Sequence, residues 1–287
     1  MRNPSNYYYK KMPNENFFVD IFQNYHTELG STLYSHWHEH LQFFYYTSGT
    51  AILNCNHKEI KVATDDLIIV NSNELHDCIN TCTNLSYYVI RVDLSFLFSN
   101  QTDCCQAKFL TPLAENLILF KNLIRNDTTA NNYIKEIIKE YFEKNLGYEL
   151  YIKGLFYELI VYLMRNYIEK ILTKKQFDMR VNNLTRFSKT IKYIEDNYCS
   201  KIDLNTLAKI TNMSTYHFCR SFKALTGNSP INYINKLKIN KALSLLRKGE
   251  LNVTEVALNC GFNDINYFSR LFKKYNNISP REVKKGS

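Results

Sequence analysis

The sequence lacks a long apolar run. None of its hydrophobic stretches reaches the roughly 18 residues that a membrane-spanning helix needs, although 45% of its 287 residues are hydrophobic. Met1–Pro13 is polar and rich in tyrosine, without the apolar core of a signal peptide. We therefore expect no association with a membrane and a cytoplasmic location.

A pair of Cys-x-x-Cys motifs is also lacking among the eight cysteines, which argues against a structural zinc site. In a cytoplasmic protein these thiols are expected to be mostly reduced. Cys78 with Cys82, and Cys104 with Cys105, could form a redox switch. No charge that would stabilise a thiolate is evident nearby, so a structural or incidental role is favoured.

Positive charge is unevenly distributed. The chain holds 36 Lys/Arg and 27 Asp/Glu; residues 181–287 contain 18 and 7 of these, which leaves 18 and 20 for the rest. A basic C-terminal third beside a nearly neutral remainder favours a polyanionic partner such as nucleic acid. The same bias could serve only to keep a helical domain in solution.

The N-terminal third has the pattern of β-structure. Short stretches rich in Ile, Val, Phe and Tyr are separated by polar or turn residues; they are Gln42–Thr47, Ala51–Asn54, Leu67–Val70 and Tyr87–Val92. Strands at this spacing are typical of an antiparallel barrel or sandwich, so we predict a β-domain over residues 1–108.

From Phe109 to Leu172 the apolar period becomes helical, and we predict a helical dimerisation segment over residues 109–175. In Tyr148–Leu172 the apolar residues follow i, i+3, i+4, i+7 spacing; they are Ile152, Leu155, Phe156, Leu159, Ile160, Leu163 and Tyr167. Val161 extends the stripe to a second side. The helix could lie against the barrel or pair with its copy in a dimer.

Thr173–Asn183 is polar, basic and without strong periodicity, and predicts a linker; residues 176–186 are expected to hold the linker and the start of a helix. Residues 187–287 predict an all-helical domain of six or seven short helices. Candidate N-caps stand at Asp203, Ser214 and Ser229, while Asn252 and Ser279 each begin a capping-box pattern. The expected fold class is α+β.

The C-terminal domain contains an internal repeat. Six residues recur with an offset of 50. The first copy has Phe218, Arg220, Phe222, Lys223, Ser229 and Pro230, and the second has Phe268, Arg270, Phe272, Lys273, Ser279 and Pro280. Upstream, Ala208 recurs at Ala257 with an offset of 49. Each copy predicts a short helix, a tight turn and a second helix with buried phenylalanines and a polar, basic opposite face, which is a helix-turn-helix.

Two copies joined by one long helix (Pro230–Arg247) would hold two recognition helices at a fixed separation, suited to successive major grooves on one face of DNA. The stretches Lys241–Leu246, Val253–Ala257, Gly261–Lys274 and Ser279-Pro280 resemble the signature of the AraC/XylS family, from roughly Leu184 to the C-terminus. The resemblance implies a transcription regulator, an activator by preference, without enzymatic activity.

The resemblance also implies partners: double-stranded promoter DNA, RNA polymerase, a second copy of the chain in a homodimer and a small-molecule, sugar-like effector. By the same resemblance, the DNA-reading faces would present Thr215, Tyr216, Cys219, Arg220 and Lys223 in the first unit, and Asn263, Asp264, Asn266, Ser269, Arg270 and Lys273 in the second. Arg and Asn suit guanine and adenine edges, whereas Lys223, Lys236, Lys238, Lys273 and Lys274 suit phosphates.

In the β-domain, Gly30-x5-His36-x-His38-x3-Gln42-x6-Gly49 resembles the first cupin motif, with glutamine where metal-binding cupins carry glutamate. His76 matches part of the second motif. Adjacent strands would bring His36, His38 and His76 toward one barrel mouth. Because Gln42 removes an anionic ligand, we expect these four residues to contact an effector, and we expect no metal and no cofactor.

Two alternatives stay open at this point. The chain could be a metal-dependent cupin enzyme, such as a dioxygenase or isomerase, with an appended helical domain; Gln42 argues against it. It could also be a regulator without a small ligand, controlled by a partner protein or by its own abundance.

Overall fold

A computed structural model describes residues 12–13, 17–55, 58–99, 103–276 and 278–285. The prediction that Met1–Pro13 is not a signal peptide concerns mainly residues 1–11, which lie outside the described residues. Within the described residues, no helix is both long and apolar enough to cross a membrane.

Two large antiparallel sheets form the N-terminal domain, as the sequence predicts, and β9 and β11 form a third sheet of two strands. The first has the order β1-β8-β3-β6-β10 and the second the order β2-β7-β4-β5. The strands are β1 (Val19–His26), β2 (Gly30–His36), β3 (Leu41–Ser48), β4 (Ala51–Cys55), β5 (Lys58–Val62), β6 (Leu67–Val70), β7 (His76–Asn80), β8 (Leu85–Val92), β9 (Ile118–Phe120), β10 (Leu123–Ile124) and β11 (Ile168–Ile171).

Strand β3 is buried on both faces, which explains its continuous apolar sequence. Phe44 and Tyr46 point between the two sheets, into a cluster that also holds Leu53 and Tyr87. Phe43 and Tyr45 point to the opposite face, where helices cover the first sheet. The alternation of side chains along a strand thus divides one apolar run between two cores.

Helices α2 (Thr128–Glu143) and α3 (Tyr148–Asn166) cover the first sheet. The predicted stripe of α3 is confirmed, since the six residues from Ile152 to Leu163 in that stripe are buried. Tyr167 ends the helix instead of extending the stripe, and its hydroxyl donates to Asp127 over 2.5 Å. The other side of α3 remains exposed at Leu150 and Val161.

The prediction of a wholly helical segment from Phe109 to Leu172 is wrong in part. A π-helix (Gln106–Leu110) and the short α1 (Thr111–Ala114) begin it, but β9 and β10 follow, and β11 closes it. Strand β10 pairs with β6, and β9 pairs with β11. These strands have only two to four residues, too few for a sequence period to distinguish them from helix.

The segment predicted as a linker is helical. Helix α4 runs from Lys174 to Asn197, and Thr173 with Gln176 forms a capping box at its start. The low hydrophobicity of the first turns reflects their exposure, because the buried residues of α4 begin only at Leu184. The chain therefore enters the C-terminal domain through a continuous helix.

Six further helices complete the domain: α5 (Leu204–Ile210), α6 (Thr215–Thr226), α7 (Pro230–Lys248), α8 (Val253–Asn259), α9 (Ile265–Asn276) and α10 (Pro280–Lys285). The predicted caps at Ser214 and Ser229 and the capping boxes at Asn252 and Ser279 are confirmed. Asp203 occupies the N-cap position of α5 without a side-chain cap hydrogen bond.

The repeat forms two separate hydrophobic cores. Phe218 and Phe222 are fully buried in the first, and Phe268 and Phe272 are fully buried in the second. Helix α7 contributes to both cores, with Ile234 in the first and residues from Ile239 onward in the second. One helix thus holds the two helix-turn-helix units together.

Gly261 provides a test of the second unit. Its φ is +73°, and a Cβ there would lie 2.0 Å from the backbone oxygen of Cys199. Gly249 has nearly the same φ, +72°, but nothing within 4 Å of its Cβ position. In both alanine variants the left-handed backbone conformation lowers the free energy of unfolding by about 1–2 kcal/mol. In Gly261→Ala the overlap with the backbone of Cys199 lowers it by about 1–3 kcal/mol more.

We expect Gly261→Ala to lower the unfolding temperature of the helical domain clearly more than Gly249→Ala does, as measured by calorimetry. Equal losses for the two variants would contradict the close approach of the second turn to the end of α4.

Candidate nucleic-acid interface and histidine cluster

Helix α6 presents a polar face opposite its buried phenylalanines. Ser214 caps the helix by accepting from the His217 backbone N–H, which fixes the direction in which the helix leaves the turn. Tyr216 is 79% exposed, and Arg220 and Lys223 are exposed as well. These three predicted contacts share the solvent side of α6.

Helix α9 presents the equivalent face in the second unit. Asn263, Asn266, Arg270 and Lys273 are exposed, and Ser269 is half-buried. Arg220 and Arg270 hold matching places in the two units, each midway in sequence between the two buried phenylalanines of its helix. Each face therefore combines a guanidinium with amide or hydroxyl groups, the chemistry that base edges and phosphates require.

Three predicted DNA contacts have roles inside the protein. The Thr215 hydroxyl donates to the Asn205 side chain over 2.7 Å, and Cys219 is half-buried against the first core. Asp264 accepts from the backbone N–H groups of Asn266 and Tyr267 at 2.8 and 3.0 Å. Asp264 thus satisfies the first turn of α9, a capping role that its place just before a helix could have suggested.

Two of the lysines assigned to phosphates lie elsewhere. Lys238 is buried and donates to the Gly261 carbonyl over 2.7 Å, and burial lowers its pKa. Lys236 reaches the β-domain, 3.5 Å from the Asn54 side chain. Both positions follow from the packing of α7, which faces the second unit on one side and the barrel on another.

The three histidines come together as the sequence predicts. Strand β2 pairs with β7 so that His36 lies opposite His76, and His38 follows two residues later. One ring nitrogen from each histidine lies within 4.8 Å of the other two. The ring centroids are 4.3 Å apart for His36 and His76, and 5.0 Å apart for His38 and His76.

Two of these rings are deeply buried, with relative exposures of 3% for His38 and 1% for His76. Burial lowers the pKa of His38 to about 3 and that of His76 well below its ordinary value. Both rings are therefore neutral at neutral pH. Gln42 is buried on β3, in the register opposite Arg91 and Val70; strand alternation places it on the same face as Phe44.

Residues adjacent to the histidines also contact the helical domain. Trp37 and Leu75 belong to the core of the first helix-turn-helix unit, with Leu184 and Phe187 of α4. We call the contacts of the β-domain with α4 and α7 the docking surface. It joins the histidine cluster to the helical domain.

A partly buried ion pair lies on the docking surface. Arg180 of α4 donates to Glu74 over 3.2 Å, and the two side chains are 20% and 5% exposed. Glu74 also accepts from the Asn122 amide and the Asn71 backbone N–H. A cleft of about 670 Å³ opens here between the two domains, lined by Glu74, Arg180 and residues of both.

The four cysteines for which a redox switch was considered and disfavoured are free thiols. Burial raises the pKa of Cys78 to about 11, so its reactive thiolate form is disfavoured. Cys104 and Cys105 are exposed.

Comparison with known proteins supports this arrangement. Residues 25–160 match the model of the AraC-like ligand binding domain, and residues 207–286 match that of a helix-turn-helix domain. The uncharacterized HTH-type transcriptional regulator YdeC of Bacillus subtilis is 27% identical over 87% of this chain and 85% of its own.

Two further matches are narrower or more distant. The HTH-type transcriptional activator RhaS of Escherichia coli is 32% identical, over only 46% of this chain and 45% of its own. The crystal structure of unsaturated fatty acid bound ToxT from Vibrio cholerae covers 96% of this chain and 97% of its own at 16% identity, with a TM-score of 0.40, too low to transfer details of geometry. The two matched domain models, the duplicated helix-turn-helix and the similarity to the regulators YdeC and RhaS show that the chain belongs to the AraC family of transcription regulators.

Proposed function

We propose that this regulator binds promoter DNA by placing α6 and α9 in successive major grooves and that it activates transcription there through contact with RNA polymerase in the cytoplasm. The observation that carries the DNA-binding mode is the pair of equivalent exposed faces, with Arg220 and Arg270 in matching places. The activator role is supported by the similarity to RhaS.

The length of the helix that joins the two units is comparable to the groove spacing of DNA. Helix α7 has 19 residues, a length of about 28 Å at 1.5 Å per residue. Successive major grooves on one face of B-DNA recur about every 34 Å. Because α7 enters both cores, it fixes the two recognition helices relative to one another without help from the nucleic acid.

Control of DNA binding is proposed to act through the docking surface. Trp37 and Leu75 fix the first unit to the barrel, and Lys236 of α7 contacts Asn54 of β4. A small-molecule effector in the cleft beside Glu74 and Arg180 would touch both domains at once. Its differential affinity for two docking arrangements would then set the fraction that is competent for DNA.

The geometry supports no sugar in particular, because the interior between the sheets is filled by aromatic side chains such as Phe44 and Tyr87. The enzyme alternative has less support than the regulator, since the residues around the histidines serve the docking of a DNA-binding domain. Among the described residues, the cluster consists of three histidines and includes no carboxylate that could act as a base.

A homodimer is proposed to form through the exposed face of α3. Leu150 is 76% exposed, Tyr157 38% and Val161 43%, and they follow one another at i, i+7 and i+11. Gly154 lies between them, with open space where a Cβ would be. Apolar residues at this spacing are typical of a helix that pairs with another helix.

The DNA-binding proposal is tested by selecting genomic fragments with the purified protein and footprinting the best one. We expect two protected blocks about one helical turn apart, with affinity falling steeply as salt rises. Arg220→Ala and Arg270→Ala should each weaken a different block, with a loss of about 1–3 kcal/mol, or roughly five- to 150-fold in affinity.

Lys248→Ala removes the same unit of charge from the exposed end of α7 and serves as the control, which should weaken both blocks slightly and equally. If the two arginine variants behaved like the control, specific contact by these side chains would be refuted.

The dimer is tested by sedimentation of the variant Leu150→Glu/Val161→Glu. Two charges on a paired apolar face cost desolvation energy without a partner, so we expect a monomer at micromolar concentrations where the wild type is a dimer. Leu258→Glu, at a residue 56% exposed on the helical domain, should remain dimeric. A dimer that survived the double substitution would place the interface elsewhere.

The docking surface is tested by Arg180→Ala. It leaves the buried Glu74 carboxylate without its cation, at a cost of about 1–3 kcal/mol to docking. Trp37 is the sole tryptophan of the chain and is 7% exposed, so its emission reports on docking. We expect a red shift for Arg180→Ala and none for Arg186→Ala, which changes an exposed arginine of the same helix. An unchanged spectrum would show that this ion pair does not hold the domains together.

A further inference from the structure

The two buried histidines of the cluster, His38 and His76, each use one ring nitrogen in a hydrogen bond within the protein. The Nδ1 atom of His38 lies 3.1 Å from the His40 carbonyl, and that of His76 lies 2.8 Å from the Glu74 carbonyl. A carbonyl oxygen only accepts, so each Nδ1 carries the proton. In a neutral imidazole the Nε2 atom then has a free lone pair.

Both Nε2 atoms are buried, and neither has a hydrogen-bond partner among the described residues. Two buried acceptors left unsatisfied within one cluster are costly. Histidines that bind metals show the same arrangement, in which Nδ1–H donates to a carbonyl or carboxylate and Nε2 faces the ion. The backbone carbonyls of His40 and Glu74 thus fix the two rings in the form that a metal requires.

The spacing is close to that of a coordination sphere. The three ring nitrogens lie within 4.8 Å of one another, whereas nitrogens bound at 2.0–2.1 Å to a tetrahedral ion are about 3.3 Å apart. Ring movements of about 1 Å would close the gap. Three neutral imidazoles without a carboxylate favour Zn²⁺, Co²⁺, Ni²⁺ or Cu²⁺ over Ca²⁺ or Mg²⁺, which prefer oxygen ligands.

We propose that His36, His38 and His76 bind one divalent transition-metal ion and that this ion tightens the contact between the β-domain and the first helix-turn-helix unit. The second half rests on the proposed function of the docking surface. This assignment departs from the sequence-based expectation of no metal, which weighed the missing glutamate at Gln42 but had no view of the two unpartnered nitrogens.

The coupling follows from the order of residues along the chain. Trp37 lies between His36 and His38, and Leu75 immediately precedes His76. Both apolar side chains are buried in the core that contains Leu184 and Phe187 of α4. An ion that draws the three rings together therefore moves the two segments that hold the helical domain.

The site is tested on the full chain after removal of metals with a chelator. Titration with Co²⁺ should show one ion per chain with the visible absorption of nitrogen coordination, and it should quench Trp37 because the paramagnetic ion lies beside it. His36 is half-buried, so His36→Gln should fold, as circular dichroism would verify, and bind Co²⁺ at least tenfold more weakly.

His26→Gln is the matched control. His26 is another half-buried histidine of the β-domain, whose Nε2 lies 3.2 Å from the Tyr87 hydroxyl, and its variant should bind like the wild type. Intense near-ultraviolet thiolate bands would assign the ion to the free cysteines and overturn the site. So would the lack of one-per-chain binding at micromolar Co²⁺, which would leave the nitrogens to a hydrogen-bonding organic ligand.

The coupling is tested with Zn²⁺, which does not quench by paramagnetism. A blue shift of Trp37 emission in the wild type, absent in His36→Gln, would support it, and an unchanged spectrum in zinc-loaded wild type would overturn it. Because the readouts are stoichiometry and Trp37 emission, a failure to bind DNA would count against the proposed function and not against this site.

Discussion

The indole of Trp37 lies in the hydrophobic core of a domain other than its own, and the arrangement of the two domains depends on that contact. Separating them would return Trp37 and Leu75 to water, at a cost of about 25 cal/mol per Å² of apolar surface, and would also open the core around Leu184 and Phe187. The β-domain therefore completes the first helix-turn-helix unit. A change in the barrel that moves Trp37 acts directly on the packing of a DNA-binding unit.

The ion pair between Glu74 and Arg180 favours one relative orientation of the two domains at this apolar contact. A buried pair gives little net stability, because both charges lose their hydration. Leaving one of them alone is expensive, so the pair penalises any docking arrangement in which the two residues do not meet. Glu74 accepts from Asn122 with the same carboxylate, and its carbonyl orients His76. One residue thus connects the cleft, the docking surface and the histidine cluster.

The repeat was predictable because phenylalanine pairs such as Phe218/Phe222 and Phe268/Phe272 report burial and helical spacing at once. The proximity of the three histidines was predictable from strand pairing. What the sequence missed depends on distant contacts. The first turns of α4 follow helical geometry with an exposed polar surface, and Lys238 is buried only because α7 packs over Gly261. Asp264 caps α9. The prediction considered only which residues lie on the exposed face of each recognition helix, so it missed this local role.

The neutral donor set of the histidine cluster bears on what an ion could do there. Three imidazoles leave the full double charge of the ion uncompensated, whereas a glutamate in place of Gln42 would cancel part of it. An anionic ligand adds electrostatic attraction for the ion, so this neutral set should hold an ion less tightly than the same site with glutamate in place of Gln42. Reversible occupancy is what a regulator needs, because an ion shifts a conformational equilibrium only by its difference in affinity between the two states. The glutamine that weakens the case for a metal enzyme is therefore compatible with a metal-responsive switch of DNA binding.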